Sequence, residues 1–373
     1  MTIGPGTPIT TMTRPPVSDQ ASATRIQWID AAKGLGIILI VIGHLYSVAE
    51  PSAFYVFLYA FHVPLFFFLS GWTFKPGAEP LQGFFQKKAR TLLVPYFCYA
   101  MLGFLFYLAG FLAARQMHLQ IEQFNYGLLP PLIGVFYGSL GDGHLVNTPV
   151  WFVIALFCTV MVGYGVNRLV ASDAVRMGVV LLLAAAGYEA ARFVKLPFSL
   201  SSALIGLVFF QAGYWLSRHR PQTTMSPLRQ VALFVLLLAV SLLSQVNGFV
   251  TVAEARLGHP ALFLVFAFSG TFMLILLVQL LGKNARWLAW IGQYSLSIML
   301  IHMLVIKSVK VLLVAALSLS LQAIDHDVAL GLLVLAVTAV LLVPTVYVME
   351  RFLPLSLGKP ARTRALVPVR GFP

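Results

Sequence analysis

An ionisable residue stands at each end of an otherwise apolar stretch near the start of the chain, KGLGIILIVIGH at 33–44. An α-helix turns about 100° and rises about 1.5 Å per residue, so Lys33 and His44 would share one helix face and lie roughly 16 Å apart along it. Asp30 falls on the same face. Ionisable side chains inside an apolar helix need a partner or a wet cavity, which makes each of them a candidate functional residue. A histidine placed there can act as a general base. The alternative is a lysine that extends to the membrane surface and a histidine bonded to a neighbouring helix.

A second histidine, His62, stands two residues before Pro64 in the stretch FHVPLFFFLSG at 61–71. Proline removes a backbone hydrogen bond and kinks a helix at that point. The loop 50–53 is short, so this helix is predicted to return antiparallel to the first and to carry His62 to a depth similar to that of His44. Two histidines beside a kink predict a polar cavity, although His62 taken alone could equally be structural.

Three basic residues, Lys87, Lys88 and Arg90, precede the apolar run that begins at Leu92. One interpretation is that they only mark the cytoplasmic end of a membrane helix. The other is that they hold a phosphorylated cytoplasmic ligand against the membrane surface, because lysine and arginine are the usual partners of phosphate groups.

Polar and aromatic residues also come together in NTPVWF at 147–152. Asn147 and Thr148 could donate hydrogen bonds to a sugar hydroxyl or could cap the following helix. Trp151 could contact the same ligand or serve as an interfacial aromatic anchor.

A third deep histidine, His302, lies in SLSIMLIHMLV at 295–305, and packing is one interpretation of it. Lys307 and Lys310 are predicted to pair with the region of Asp325 and Asp327 or to extend outward.

The composition indicates the class of protein and the kind of secondary structure that hold these residues in place. The chain of 373 residues is 59% hydrophobic and 10% charged, with a mean hydropathy of +0.88, which predicts an integral membrane protein. Its apolar windows are continuous and do not alternate, so they predict an all-α, polytopic membrane helix bundle of about ten transmembrane helices. The predicted spans are 31–49, 54–74, 91–114, 150–170, 174–191, 199–217, 229–247, 261–281, 288–314 and 328–349. Segment 127–138, broken by two prolines, is predicted to be part of an external loop or a re-entrant piece, with a full eleventh span as the alternative.

The basic residues predict the orientation of this bundle. Most of the 25 Lys and Arg residues fall on the side of the termini, which predicts that both termini lie in the cytoplasm. Residues 1–24 are predicted to be a disordered cytoplasmic tail, 25–350 the membrane domain and 351–373 a basic cytoplasmic tail. The net charge of +13 is explained by topology and by contact with membrane lipids, and it requires no nucleic-acid partner. The two cysteines, Cys98 and Cys158, lie in apolar windows, and no metal-binding spacing is present.

The stretches RIQWIDAAKGLGIILIVIGH and FHVPLFFFLSGWTF together resemble the integral membrane acyltransferase 3 family, in its branch of fucose 4-O-acetylase-like sugar acetyltransferases. A basic residue, ten residues and then a histidine at the end of the first span is the signature of that family, and Lys33 and His44 fit it. The stretches KKARTLLVPYF, VWF and SLSIMLIH also look like the family. Many members carry arginine where this chain has Lys33.

The resemblance implies transfer of an acyl group, usually acetyl, from cytoplasmic acyl-CoA to a saccharide hydroxyl on the outer side of the bacterial inner membrane. His44 would be the general base, with His62 or Ser70 as candidate donors to the oxyanion. A basic rim of Lys33, Lys88 and Arg90 would hold the CoA phosphates. Asp30, Asn147 and Trp151 are predicted to contact substrate. Acetyl-CoA is then a donor substrate, no cofactor is permanently bound, and the saccharide acceptor is either free or lipid-linked.

A transporter or flippase for a lipid-linked saccharide would also need intramembrane charges and a polar cavity. The chain carries no internal repeat of the kind that such transporters show, and its histidines are placed asymmetrically in the first two spans. A structural or signalling membrane protein is a further alternative.

Overall fold

A computed structural model describes residues 26–46, 50–77, 79–118, 121–141, 144–219, 225–318 and 320–360. Within these ranges the chain is an α-helical bundle, and the only β-type pairing is a single bridge between Thr251 and Arg256. The all-α prediction is therefore confirmed. The predicted tail at 1–24 and most of the predicted tail at 351–373 lie outside the described residues.

The described part contains fifteen α-helices. They are α1 (Gln27–Gly43), α2 (Ala53–Tyr59), α3 (His62–Trp72), α4 (Leu81–Lys88), α5 (Val94–Gln116), α6 (Leu129–Tyr137), α7 (Trp151–Leu169), α8 (Asp173–Ala190), α9 (Leu200–Arg218), α10 (Pro227–Leu242), α11 (Pro260–Leu281), α12 (Arg286–Gln293), α13 (Ser295–Leu317), α14 (Leu321–His326) and α15 (Val328–Phe352).

Eight helical segments of the described chain are long and apolar enough to cross a membrane. They are α2 with α3, α4 with α5, α7, α9, α10, α11 with α12, α13 and α15. The remaining two predicted spans correspond to α1, with 17 residues, and α8, with 18. At about 1.5 Å per residue, the nine residues of α6 are too few to cross a bilayer core of about 30 Å, so segment 127–138 does not span.

The second predicted span is interrupted where the sequence places a proline. Helix α2 ends at Tyr59 and α3 begins at His62, with the two intervening residues in turn geometry. Pro64 has no N–H to donate to the carbonyl four residues earlier, so the series of helical hydrogen bonds is interrupted at this point. The break lies beside His62, as the sequence predicts.

The ninth predicted span begins too early. Residues 288–293 belong to the short helix α12, and the ninth span starts at Ser295. Helix α12 packs so closely on α1 that a Cβ atom added at Gly34 would lie 1.9 Å from the carbonyl oxygen of Leu288, and one added at Gly292 would lie 1.8 Å from that of Asp30. This backbone contact between distant segments gives no hydropathy signal, so the sequence alone predicts a single helix over this apolar run.

The start of α1 and the end of α15 lie at the same end of the bundle, which we call the basic end. Gly292 lies against Asp30 near the start of α1, and Ser297 Oγ donates a hydrogen bond to Glu350 Oε1 near the end of α15 over 2.7 Å. The start of α5 lies there as well, since Tyr99 and Ser356 share a hydrogen bond of 3.1 Å between their hydroxyl groups.

Helices α3 and α9 also cross closely in the core, and glycines make this contact possible. A Cβ atom at Gly71 would lie 1.8 Å from the carbonyl oxygen of Phe210, and one at Gly213 would lie 2.1 Å from that of Phe68. Backbone atoms cannot move aside as a flexible side chain can, so the two helices would have to separate.

We therefore expect Gly71→Ala to destabilise the protein by about 1–3 kcal/mol through overpacking. The matched control is Gly178→Ala in α8, where an added Cβ atom meets nothing within 4 Å. The control should be neutral or slightly stabilising, because alanine is the better helix former. The apparent melting temperature in detergent measures both. Equal melting temperatures for the two variants would contradict the close contact of α3 with α9.

Candidate active site

A cavity of about 380 Å³ lies between the end of α1, helices α2, α3, α7 and α13, and two loops at the opposite end of the bundle from the basic end. His44 and His62 both line it, so the structure brings together the two histidines that the sequence places at similar depth. The wall is otherwise largely apolar and aromatic. It also includes Tyr46, Tyr59, Trp151, Phe249, Glu254 and Arg256.

His44 is held where α1 ends. The helix stops at Gly43, six residues before the predicted boundary at 49, and His44 follows as its C-cap with φ −109° and ψ 6°. Two tyrosines of α2 satisfy the last carbonyls of α1. Tyr55 donates its hydroxyl hydrogen to Ile42 O and Tyr59 donates to Gly43 O, each over 2.9 Å. Carbonyls at a helix end have no partner within the helix, so these bonds fix both the end of α1 and the position of His44.

His62 has a defined proton position. Its Nδ1 lies 2.9 Å from Leu58 O, and a carbonyl oxygen can only accept, so Nδ1 carries the hydrogen. The neutral ring then has its lone pair on Nε2. The ring packs edge-on against Tyr59, with 4.7 Å between the ring centroids. His62 therefore satisfies a carbonyl at the break between α2 and α3 while lining the cavity.

His302 of α13 lies directly behind His44. Its side chain is fully buried, and its ring centroid is 5.3 Å from that of His44, with 42° between the ring planes. Its neighbours Met299 and Met303 line the cavity, whereas His302 itself does not. The sequence marked this histidine as unusual but could not place it beside His44.

The outer wall of the cavity comes from a loop that the sequence analysis did not identify as functional. Thr251 and Arg256 exchange backbone hydrogen bonds of 2.8 and 3.0 Å, and Ala255 between them adopts a left-handed φ of 55°. The turn presents Glu254 and Arg256, which form an ion pair of 2.7 Å at the cavity. Arg256 is not among the residues predicted to form the site, because no local sequence pattern indicates that this loop folds back over the cavity.

Trp151 and Asn147, both predicted to contact substrate, are placed differently. Trp151 is buried and lines the cavity. Asn147 is fully buried outside the cavity lining, and it donates its amide hydrogens to Tyr99 O over 3.1 Å and to Leu300 O over 2.8 Å. In this structure Asn147 ties the segment before α7 to α5 and α13, and so supports the position of Trp151.

The two lysines of α13 also find partners. Lys307 donates to Val146 O over 2.9 Å, and Lys310 forms an ion pair with Asp325. Lys307 thereby holds the same segment as Asn147, while the pairing of Lys310 agrees with one of the two alternatives predicted for it.

Of the remaining candidates, Thr148 lines the cavity, whereas Ser70, Lys33, Asp30, Lys88 and Arg90 do not. Lys33 and Asp30 are half-buried near the start of α1, and Lys88 lies over the ring of Phe84 with 5.5 Å from its Nζ to the centroid. Arg90 is exposed in the π-helical segment Ala89–Leu93, which joins α4 to α5. The structure thus keeps these predicted donor-binding residues apart from the histidines. Among the described residues, no group of three or more His, Cys, Asp or Glu side chains is placed to hold a metal ion.

Comparison with known families gives one match. The model of the acyltransferase 3 family, described as an acyltransferase domain, matches residues 26–348, well over half of the chain. This range includes every residue placed in or beside the cavity above. No curated protein and no solved structure matches the chain.

Proposed function

Because the chain belongs to the acyltransferase 3 family, and is therefore a membrane acyltransferase, we propose that it moves an acetyl group from cytoplasmic acetyl-CoA to a saccharide hydroxyl. The acceptor would be an envelope or exported polysaccharide, of the exopolysaccharide or O-antigen type. The observation that carries the proposal is the position of His44, at the end of α1 and at a cavity large enough for a sugar ring.

The chemistry follows from what a hydroxyl group needs. A sugar hydroxyl is a weak nucleophile at neutral pH, and a neutral imidazole can remove its proton as it attacks. The oxygen adds to the thioester carbonyl, and the proton moves to His44. The tetrahedral intermediate then releases the CoA thiolate, which leaves as a thiol with that proton, and the acetyl ester remains on the saccharide. In this proposal His44 is the general base. The neutral ring of His62 has its lone pair on Nε2, so it can accept a hydrogen bond from a saccharide hydroxyl but cannot donate one to the oxyanion.

The donor would approach from the basic end. The nucleotide of CoA is anionic, and its thioester sits on a long thin arm. Lys33, near the start of α1, is separated from His44 by roughly 16 Å of helix, a distance that such an arm can bridge. Lys88 and Arg90 lie just before the start of α5 and would add positive charge for the phosphates. This placement agrees with a cytoplasmic basic end in a bacterial inner membrane.

The acceptor would enter from the end of the bundle opposite to the basic end, where two loops border the cavity. Sugars present apolar C–H faces and polar hydroxyl edges. The cavity offers the rings of Tyr59, Trp151 and Phe249 for the faces, and the ion pair of Glu254 with Arg256 for hydroxyl groups. Tyr59 and Phe249 already pack against each other, with 4.7 Å between their centroids.

The test is acyl transfer by the purified full chain in liposomes. Radiolabelled acetyl-CoA is supplied on one side and polysaccharide from a strain lacking the gene on the other, and label in the polysaccharide is counted. We expect label that depends on protein and on acceptor. A transporter or flippase for lipid-linked saccharide would move the saccharide and leave it unlabelled, and that result would overturn the proposal.

Replacing Trp151 should weaken acceptor binding. Loss of an aromatic face costs about 1.4 kcal/mol, so we expect Trp151→Leu to raise KM for the saccharide about tenfold. KM for acetyl-CoA should change less than about threefold. The matched control is Trp290→Leu, because Trp290 is an exposed residue of α12 away from the cavity. A Trp151 variant with unchanged acceptor KM would show that the saccharide does not use this wall.

A further inference from the structure

One ring nitrogen of His302, a residue that lies beside His44, has no hydrogen-bond partner among the described residues. Its Nδ1 lies 2.9 Å from Ile298 O and 3.1 Å from Met299 O of its own helix. Both partners are carbonyl oxygens, so Nδ1 must carry the ring hydrogen of the neutral imidazole. The lone pair is therefore on Nε2. This atom is buried, and among the described residues it has no hydrogen-bond partner.

A buried acceptor without a partner costs about 1–3 kcal/mol, so such atoms are uncommon and call for a physical explanation. The ring in contact with His302 is His44, at 5.3 Å between centroids and with the planes tilted by 42°. His44 always carries at least one ring N–H, whichever tautomer it adopts. A donor and an acceptor are thus in adjacent rings, and a rotation of the His44 ring would join them.

We propose that His302 is a positioning residue that accepts the ring N–H of His44 during the reaction. This inference rests on the proposed function, in which His44 is the general base. The bond fixes the tautomer of His44, so that the nitrogen facing the cavity carries the lone pair that receives the hydroxyl proton. His302 needs no proton of its own for this role, because its Nδ1 hydrogen stays on the backbone carbonyls of α13.

The same bond stabilises His44 once it has taken the proton. A charged donor makes a hydrogen bond roughly twice as strong as a neutral one, so the contact is stronger in the transition state than before it. His302 would thus take the place that a carboxylate holds in other base-orienting pairs. Among the described residues that line the cavity, the only carboxylate is Glu254, and it is paired with Arg256.

The test compares two replacements of His302. Phenylalanine keeps a ring of similar size and removes the acceptor, so we expect His302→Phe to lower kcat about 10²-fold. Each KM should stay within about threefold, because His302 touches neither substrate. Glutamine places an amide oxygen near the position of Nε2, so His302→Gln should recover at least about a tenth of the wild-type kcat. A structural role would not separate kcat from KM or favour glutamine over phenylalanine.

Two controls keep the result decisive. Leu304→Ala, at another buried position of α13, should lower the melting temperature without the loss of kcat. In a His44→Ala background, His302→Leu, which likewise removes the acceptor, should cause no further loss of transfer, because residues that act as a unit are not additive. This comparison of single and double variants tests the role of His302 even if the phenylalanine variant does not fold.

Wild-type kcat in His302→Phe, or an additional loss in the His44→Ala background, would overturn the role of His302 and leave the proposed function standing. Absence of transfer by the wild-type protein would instead overturn the proposed function itself.

Discussion

Replacement of His44 by alanine is expected to reduce acetyl transfer by at least about 10³-fold, with the protein still folded. The upper range for one general base is about 10⁴-fold, and here the base also sits where the acceptor and the donor must meet. Folding should survive because the end of α1 is held through backbone carbonyls. Tyr55 and Tyr59 bond to Ile42 O and Gly43 O, and neither bond uses the imidazole.

The measurement is the initial rate of label transfer from radiolabelled acetyl-CoA to polysaccharide, at equal amounts of folded protein. The matched control is His219→Gln, because His219 is exposed after α9 and stacks on Trp215. That variant should transfer at the wild-type rate. If His44→Ala retains more than about a tenth of the rate, the general base is another group, and the positioning role of His302 fails with it.

The helices of this protein could be predicted from the sequence because burial in a bilayer demands long apolar segments. The two residues at the ends of KGLGIILIVIGH could also be placed relative to each other, since one helix determines their separation. The break beside His62 was visible as Pro64. These features depend on one segment at a time, and local sequence carries them.

The features that the sequence could not predict all depend on contacts between distant segments. Helix α12 is a separate element because Gly34 and Gly292 let two backbones touch. Asn147 looked like a helix cap or a ligand donor, yet its partners are carbonyls of Tyr99 and Leu300. The pairing of His302 with His44 joins two helices far apart in the chain.

The cavity also combines features set by local sequence with features set by contacts between distant segments. Its base is formed by His44 and His62, which lie close in sequence and were expected to meet. Its outer wall is formed by Glu254 and Arg256, which reach it only because the loop folds back, with Ser202 Oγ donating to Ala253 O over 3.1 Å. The positions of the two histidines are therefore more predictable from sequence than the shape of the cavity they line.

Removing the charge of Lys33 is expected to raise KM for acetyl-CoA about 10-fold to 10²-fold, because a hydrogen bond to a charged group contributes about 1.5–3 kcal/mol. Lys33→Met keeps the length and the apolar stem of the side chain, and Lys33→Arg keeps the charge. The arginine variant should stay within about threefold of wild type. Lys87→Met is the matched control. Lys87 is an exposed lysine of α4, and its Nζ lies 4.0 Å from Oε2 of Glu79.

A truncated donor separates a phosphate contact from a structural effect. Acetyl-pantetheine carries the same thioester and lacks the nucleotide phosphates. If Lys33 binds those phosphates, the wild type and Lys33→Met should use acetyl-pantetheine equally well, although both should use it poorly. A difference that persists with acetyl-pantetheine would mean that Lys33 supports the packing of α1 on α12 near Gly34. Equal use would place the donor nucleotide at the basic end, so that α1 itself sets the distance between the phosphates and the reacting carbonyl.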